Sequence, residues 1–235
     1  MEKITYTAAQ ETSAAKPAAK SFASGLNFYK LFWIFFIGSF AGVVIETLYW
    51  FLTRHRFESR SGLIYGPFNL VYGFGALFIT LGLYWLIHKN VLFIAAGGFV
   101  LGGFCEFMCS WVQEMLFGTV SWEYSGSPMS IQGRINLKYC IFWAILAVVW
   151  MKLLFPALSG LIEKIPGRVG KPLTWILLVF MILNSLISGM AVARMSARYR
   201  EILPRNSVEV FLDKHYPDEL MKKVYPNMMF VSDKP

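Results

Sequence analysis

The chain has 235 residues, with 22 Lys+Arg against 14 Asp+Glu for a net charge of +8; 56% of it is hydrophobic and only 15% charged. A water-soluble domain carries about 25% charged residues, so too little polar surface is present to wrap a soluble body, which excludes a soluble enzyme, a disordered chain and a disulfide-stapled secreted module. The apolar residues fall in runs long enough to cross a bilayer, and the expected fold class is an all-α, polytopic helical bundle in a membrane.

Residues 1–29, rich in Ala, Ser, Thr and Lys, read as a flexible polar tail. A transmembrane bundle over 30–194 follows, with about five spans. Leu31–Leu52 is the first, and its length at about 1.5 Å per residue reaches about 33 Å. The second is Pro67–Ile87, with proline at a helix start where it is tolerated. The short link His88-Lys89-Asn90 leads to Val91–Phe117, and then come Leu137–Phe155 and Leu173–Ala193. The remainder, 195–235, reads as an amphipathic tail that lies at the membrane or caps the bundle.

With five spans, the long links 53–66 and 118–136 open on the same side as the C-terminal tail. That side carries nine flanking basic residues (Arg54, Arg56, Arg60, Arg134, Lys138, Arg194, Arg198, Arg200, Arg205) against seven on the other (Lys20, Lys30, Lys89, Lys152, Lys164, Arg168, Lys171). Basic flanks favour the cytoplasmic side, so the expectation is a multi-pass cell-membrane protein with its N-terminus out and C-terminus in. These scattered flanks make nucleic acid a poor partner; membrane lipids are the natural one.

Spans one and three share a pattern. The first reads Gly38-x3-Gly42-x3-Glu46 and the third Gly98-x3-Gly102-x3-Glu106. Glycines four apart on one helix face let a neighbouring backbone approach closely, so Gly38, Gly42, Gly98 and Gly102 are expected packing positions. A charged residue inside a span costs roughly 2.5–3.5 kcal/mol, so each glutamate needs a partner, a proton or a water-lined cavity. Spans one and three run the same way, which makes this a parallel internal repeat with two carboxylates facing each other near one mouth. Two carboxylates crowded together would hold at least one proton near neutral pH. Either the acids line a functional site or they are helix tethers; Glu114, nearer its span end, reads as interfacial.

The two long loops add polar groups to that mouth. Tyr65 and Asn69 flank the Gly66-Pro67 turn, and Trp122, Tyr124, Arg134 and Asn136 belong to the second loop. Arg134 is expected within reach of the glutamates, and guanidinium suits carboxylate or phosphate. Trp122 and Tyr124 also fit an interfacial aromatic belt.

No phosphate-binding loop is present: Gly167-Arg-Val-Gly-Lys-Pro172 has the wrong spacing, with proline in place of the magnesium-binding hydroxyl. The three histidines (55, 88, 215) form no zinc motif, Cys105 and Cys109 read as packing residues, and no metal or cofactor is expected. The cysteines, with Cys140, lie inside apolar runs, which argues against bridging.

The combination Ser61-Gly-Leu-Ile-Tyr-Gly-Pro-Phe68, Tyr72-Gly-Phe-Gly75, Trp122-Glu-Tyr-Ser125 and Gly133-Arg-Ile-Asn-Leu137 resembles the CmpB-like family of bacterial membrane proteins labelled as ABC transporter permeases. Phe211-Leu-Asp-Lys-His-Tyr-Pro217 and Tyr225-Pro-Asn-Met228 resemble the ending of these proteins. Glu123 and Ser130 depart from the usual Asp and Asn. The resemblance implies a permease-like transport component served by a separately encoded ATPase, and five spans are few for a path, so a homo-oligomer or hetero-partner is implied too. Two other readings stand beside it. One is an intramembrane enzyme on a lipid or lipid-linked substrate, with Glu46 or Glu106 as acid or base, Arg134 as clamp and Tyr65 with Tyr124 as hydrogen-bond donors. The other is a scaffold without chemistry.

Overall fold

The computed structural model describes residues 21–55 and 57–233. Within them lie seven helices: α1 Phe28–Arg54, α2 Leu70–Leu83, α3 Val91–Phe117, α4 Leu137–Glu163, α5 Gly167–Tyr199, α6 Ser207–His215 and α7 Asp218–Val224. Four of them (α1, α3, α4, α5) are long and apolar enough to cross a membrane. With its 3-10 continuation Tyr84–Leu86, α2 makes a shorter apolar helix over Leu70–Leu86. The protein is an all-α membrane bundle, with strand confined to two tiny antiparallel pairs. In these, β1 (Thr119–Val120) pairs with β4 (Met229–Phe230), and β2 (Ser130–Ile131) with β3 (Ile135–Asn136).

Asparagine begins five of these helices. Asn27, Asn69, Asn90, Asn136 and Asn206 each accept a first-turn amide with the side chain, satisfying a donor that has no partner within the helix. At the far end of α3 the chain stops on Gly118, whose φ of 64° closes the helix in the left-handed region.

Several expected boundaries move. The second helix begins at Leu70 rather than Pro67, because Phe68 O accepts the amides of Gly62 and Leu63 and folds 62–68 into a tight turn. The fourth does not end at Phe155. Pro156 has no N–H to give the preceding turn, the helix widens into a π segment over Trp150–Leu154, and it then continues to Glu163. The fifth is 33 residues long and runs six residues beyond Ala193, so a bundle ending at 194 would cut it. Of the expected flexible tail, 1–20 lie outside the described residues, but Phe22 and Ala23 are buried, with the Phe22 ring against Gly170. Burial of that ring ties 21–29 to the body. Residues 200–233 cap the bundle with α6, α7 and β4.

The core has three parts. The largest gathers Phe32, Ile34, Ile79, Leu83, Ile94, Ala147, Met151 and Phe155 from α1 to α4. Leu63 and Phe68 of the first loop pack on Met181 of α5. Beneath the cap, Ala191, Val192 and Met195 of α5 meet Leu212, Tyr216, Met221 and Tyr225.

Candidate functional site

Two helix pairs, α1 with α2 and α3 with α4, build the site in the same way. A methyl group on Gly38 would stand 2.9 Å from Ala76 Cβ, and one on Gly42 would overlap the Tyr72 ring. In the second pair, methyl groups on Gly98 and Gly102 would overlap Ala147 and Trp143. Each glycine pair therefore receives an aromatic residue and an alanine four apart, Tyr72 with Ala76 and Trp143 with Ala147. The four glycines are where the neighbouring helix comes closest.

The carboxylates follow one turn beyond. The Tyr72 hydroxyl donates to Glu46 Oε2, and the Arg60 guanidinium lies 3.9 Å from Glu46 Oε1. Trp143 Nε1 donates to Glu106 Oε2 at 2.6 Å, and the Tyr124 hydroxyl to Glu106 Oε1 at 3.0 Å. The two acids differ in setting. Glu46 keeps 30% of its side chain exposed and has a cation beside it; Glu106 is 7% exposed, and the groups bonded to it are neutral. Each carboxylate thus has its own set of donors. Burial, and then the charge of Glu106, holds the Tyr124 phenol well above its ordinary value, so this hydroxyl stays a donor at any physiological pH.

Arg134 does not bond to the repeat glutamates. Its Nη1 meets Glu114 Oε2 at 3.0 Å and Ser110 Oγ at 3.4 Å, which makes Glu114 the partner of a buried arginine rather than an interfacial acid. The guanidinium also faces the Phe107 ring at 5.7 Å. Arg60, its counterpart in the first loop, lies over the Trp50 ring at 4.0 Å and pairs with Glu58 at 3.1 Å.

The remaining loop residues hold backbone in place. The Asn69 side chain accepts Val71 N–H and donates to Arg60 O at 3.2 Å, while its own amide donates to Ser39 O in the middle of α1. Asn136 caps α4, and Trp122 Nε1 donates to Arg134 O at 2.9 Å. Tyr124 stacks on Tyr139 with ring centroids 4.6 Å apart. The Tyr65 hydroxyl shares a hydrogen bond of 2.8 Å with Tyr216 in the cap. Because α2 starts halfway along α1, the first loop descends beside the apolar helices, where non-helical backbone must find protein partners. Asn184 supplies them, accepting Tyr65 N–H and donating to Tyr65 O at 2.7 Å, and Ser188 accepts Ile64 N–H.

Sequence reasoning passed over Tyr72 and Trp143 as acid partners, and Asn184, Ser188 and Tyr216 as supports. One signal was available. Asn69-Leu-Val-Tyr72 matches Asn136-Leu-Lys-Tyr139, so the repeat extends into α2 and α4. Even so, it would have named Tyr139, not Trp143. Measured from the capping asparagines, α4 sits one helical turn out of step with α2, and the indole takes the place that a tyrosine fills in the first half.

The cap is pinned by charge. Arg194 bonds Asp213 at 2.6 Å and Glu209 at 3.3 Å, and Arg198 bonds both Asp213 and Asp218 at 2.5 Å. Hydrogen bonding to Arg194, and then to Arg198, holds the Asp213 carboxyl below the usual range against the opposing effect of burial.

No curated protein and no solved structure matches this chain. A family of proteins does: its description is "Putative ABC-transporter type IV", and it matches residues 33–189, from early α1 to late α5 with both glycine–glutamate repeats inside. The chain belongs to this family.

Proposed function

We propose that this protein is the membrane-embedded component of a transport system whose energy comes from a separately encoded ATPase, and that Glu46 and Glu106 mark the path of its substrate. The observation that carries the reading is the paired construction of the two acids. Each ends a glycine face on one helix and is met by an aromatic donor from the next. A charged group retained at such depth is costly unless it is used, and a scaffold has no need of two. The family and the lack of any nucleotide-binding loop in this chain support an external source of energy. In the cell membrane, with the C-terminus in, the cap and the long loops would face the ATPase. Five apolar helices make a small path, so two copies or a second membrane subunit would complete it.

Arg60, Arg134, Tyr65, Asn69, Trp122, Tyr124 and Asn136 support the acids and their loops in this reading. The intramembrane-enzyme reading is weaker, because the guanidinium it needs as a clamp, Arg134, is engaged by Glu114 and Ser110.

The test is isolation of the protein from its native membranes in mild detergent, followed by native mass spectrometry and ATPase assay. A nucleotide-binding subunit in fixed ratio is expected. Glu46→Gln and Glu106→Gln should leave that assembly intact and abolish its substrate-dependent ATP hydrolysis. A protein recovered without any ATPase, or variants with unaltered activity, would overturn the proposal.

A further inference from the structure

We propose that the protein holds one acidic phospholipid in the groove between residues 127–129 and the first two turns of α4, with the lipid phosphate on Lys138. This groove has a volume of about 430 Å³ and is walled by Pro128, Met129, Leu137, Ile141 and Phe142, with Lys138 at its side. Its wall is almost wholly apolar, and it does not stop at the groove. Leu137, Ile141 and Phe142 are exposed, and so, one turn further along α4, are Ile145 and Leu146. Positions 137, 141 and 145 share a helix face. The opposite face, through Trp143 and Ala147, is the one that meets α3. An apolar strip that begins at a groove and runs down the outer face of a membrane helix suits an acyl chain better than a soluble protein.

Charge selects the head group. The Lys138 ammonium lies 5.9 Å from the Tyr139 ring centre and 5.6 Å from that of Phe142, and it makes no ion pair with any described residue. The arginines of the same side that are buried or half-buried are different: Arg60, Arg134, Arg194 and Arg198 each have a carboxylate. An ammonium held against two rings, at the upper end of an apolar strip, offers a phosphate a partner that the protein does not supply. A zwitterionic lipid would bring its own cation against Lys138; an acidic one brings only negative charge. The matching position of the first half is Val71, so the repeat makes one such site. A second groove, about 450 Å³ between α5 and α6, has its Arg194 committed to Asp213 and Glu209.

The experiment uses the full-length protein in nanodiscs of phosphatidylcholine doped with phosphatidylglycerol, released into native mass spectrometry. Retention of one phosphatidylglycerol in preference to phosphatidylcholine is expected. Lys138→Gln should lower this retention about fivefold, the effect of one basic residue near a lipid surface. Lys138→Arg should restore it, and Arg205→Gln, which alters another exposed cation of that side, should leave it unchanged. Equal retention of the two lipids, an unaffected Lys138→Gln or an equal loss in Arg205→Gln would overturn the proposal. So would protection of Lys138 from amine labelling in native membranes but not in the nanodiscs, because that would identify a protein as the occupant.

Discussion

Glu106 and Trp143 meet twice. The indole N–H donates to Glu106 Oε2 at 2.6 Å, and the same side chain fills the space left by Gly102, one turn back on the glutamate's own helix. Close approach of the helices is thus a condition for satisfying the acid. A side chain at 102 would push the indole away and leave a buried carboxylate short of a donor, so packing and polar satisfaction rise and fall together.

Gly42→Ala and Gly102→Ala are expected to destabilise the protein by about 1–3 kcal/mol each, the usual penalty for overpacking a tight contact. Gly160→Ala should be neutral or stabilising, because nothing lies within 4 Å of a methyl group there and alanine favours a helix by about 1 kcal/mol. Thermal unfolding in detergent checks both.

Glu106→Gln and Trp143→Phe test the acid's setting. Both Glu106 oxygens accept hydrogen bonds, so an amide there can keep the indole on its oxygen only if its nitrogen turns to the Tyr124 hydroxyl and that hydroxyl reverses from donor to acceptor. Glu106→Gln should therefore cost about 1 kcal/mol, the worth of one rearranged hydrogen bond, and Trp143→Phe about 1–3 kcal/mol, as for a buried polar group left short of its donor. Glu46→Gln should be milder, since Glu46 is only partly enclosed by protein. Comparing the melting temperatures of the three variants separates these outcomes.

Lys30 and Glu163 pair at the other end of the bundle, and they are unequal. Lys30 is 2% exposed and also bonds Ser159 at 2.6 Å, while Glu163 keeps 39% of its side chain in contact with the surroundings. Removing the acid strands a buried ammonium; removing the lysine leaves an acid that can be solvated. Glu163→Gln should therefore cost more, about 3 kcal/mol, than Lys30→Met. Denaturant or thermal unfolding decides the order.

The cap should respond to pH in two windows. Asp213 has its pKa lowered by Arg194 and Arg198, so its contribution is fully present above the unfolded value of about 3.9 and is lost as the pH falls through the lower folded value. Tyr216 is pushed up to about 12 by burial and by its bond to Tyr65. Its contribution is complete below an unfolded value of about 10 and disappears as the pH rises through 12. Limited proteolysis after Arg200 should show a protected cap between these limits. Asp213→Asn should release the cap at neutral pH, with a loss of about 1.5–3 kcal/mol for hydrogen bonds to charged partners.

Much of the arrangement was legible in the residues. The two Gly-x3-Gly-x3-Glu runs were identified as packing faces ending in an acid, and Asn69 and Asn136 were singled out in the two loops; in the structure they begin α2 and α4. The link from Arg134 to the glutamates was not realised, because Glu114, two turns beyond Glu106 on the same helix, presents its carboxylate to the guanidinium first. Arg194 and Arg198 read as membrane flanks, yet they hold the cap. That role depends on Asp213 and Asp218 folding back from 15 to 20 residues away.

By itself the sequence determined a helical membrane bundle and two matching Gly-x3-Gly-x3-Glu runs, since apolar run length and glycine spacing are local quantities that one helix expresses alone. The tertiary structure decided which group satisfies each acid. That choice rests on the register between neighbouring helices and so on the loops that join them; the first loop has its backbone held at Ile64 and Tyr65 by Ser188 and Asn184, more than a hundred residues further along the chain, and the second is tied by Trp122 to Arg134 O. A shift of one turn between α2 and α4 is enough to hand the glutamate from a tyrosine to a tryptophan, and no local pattern records it.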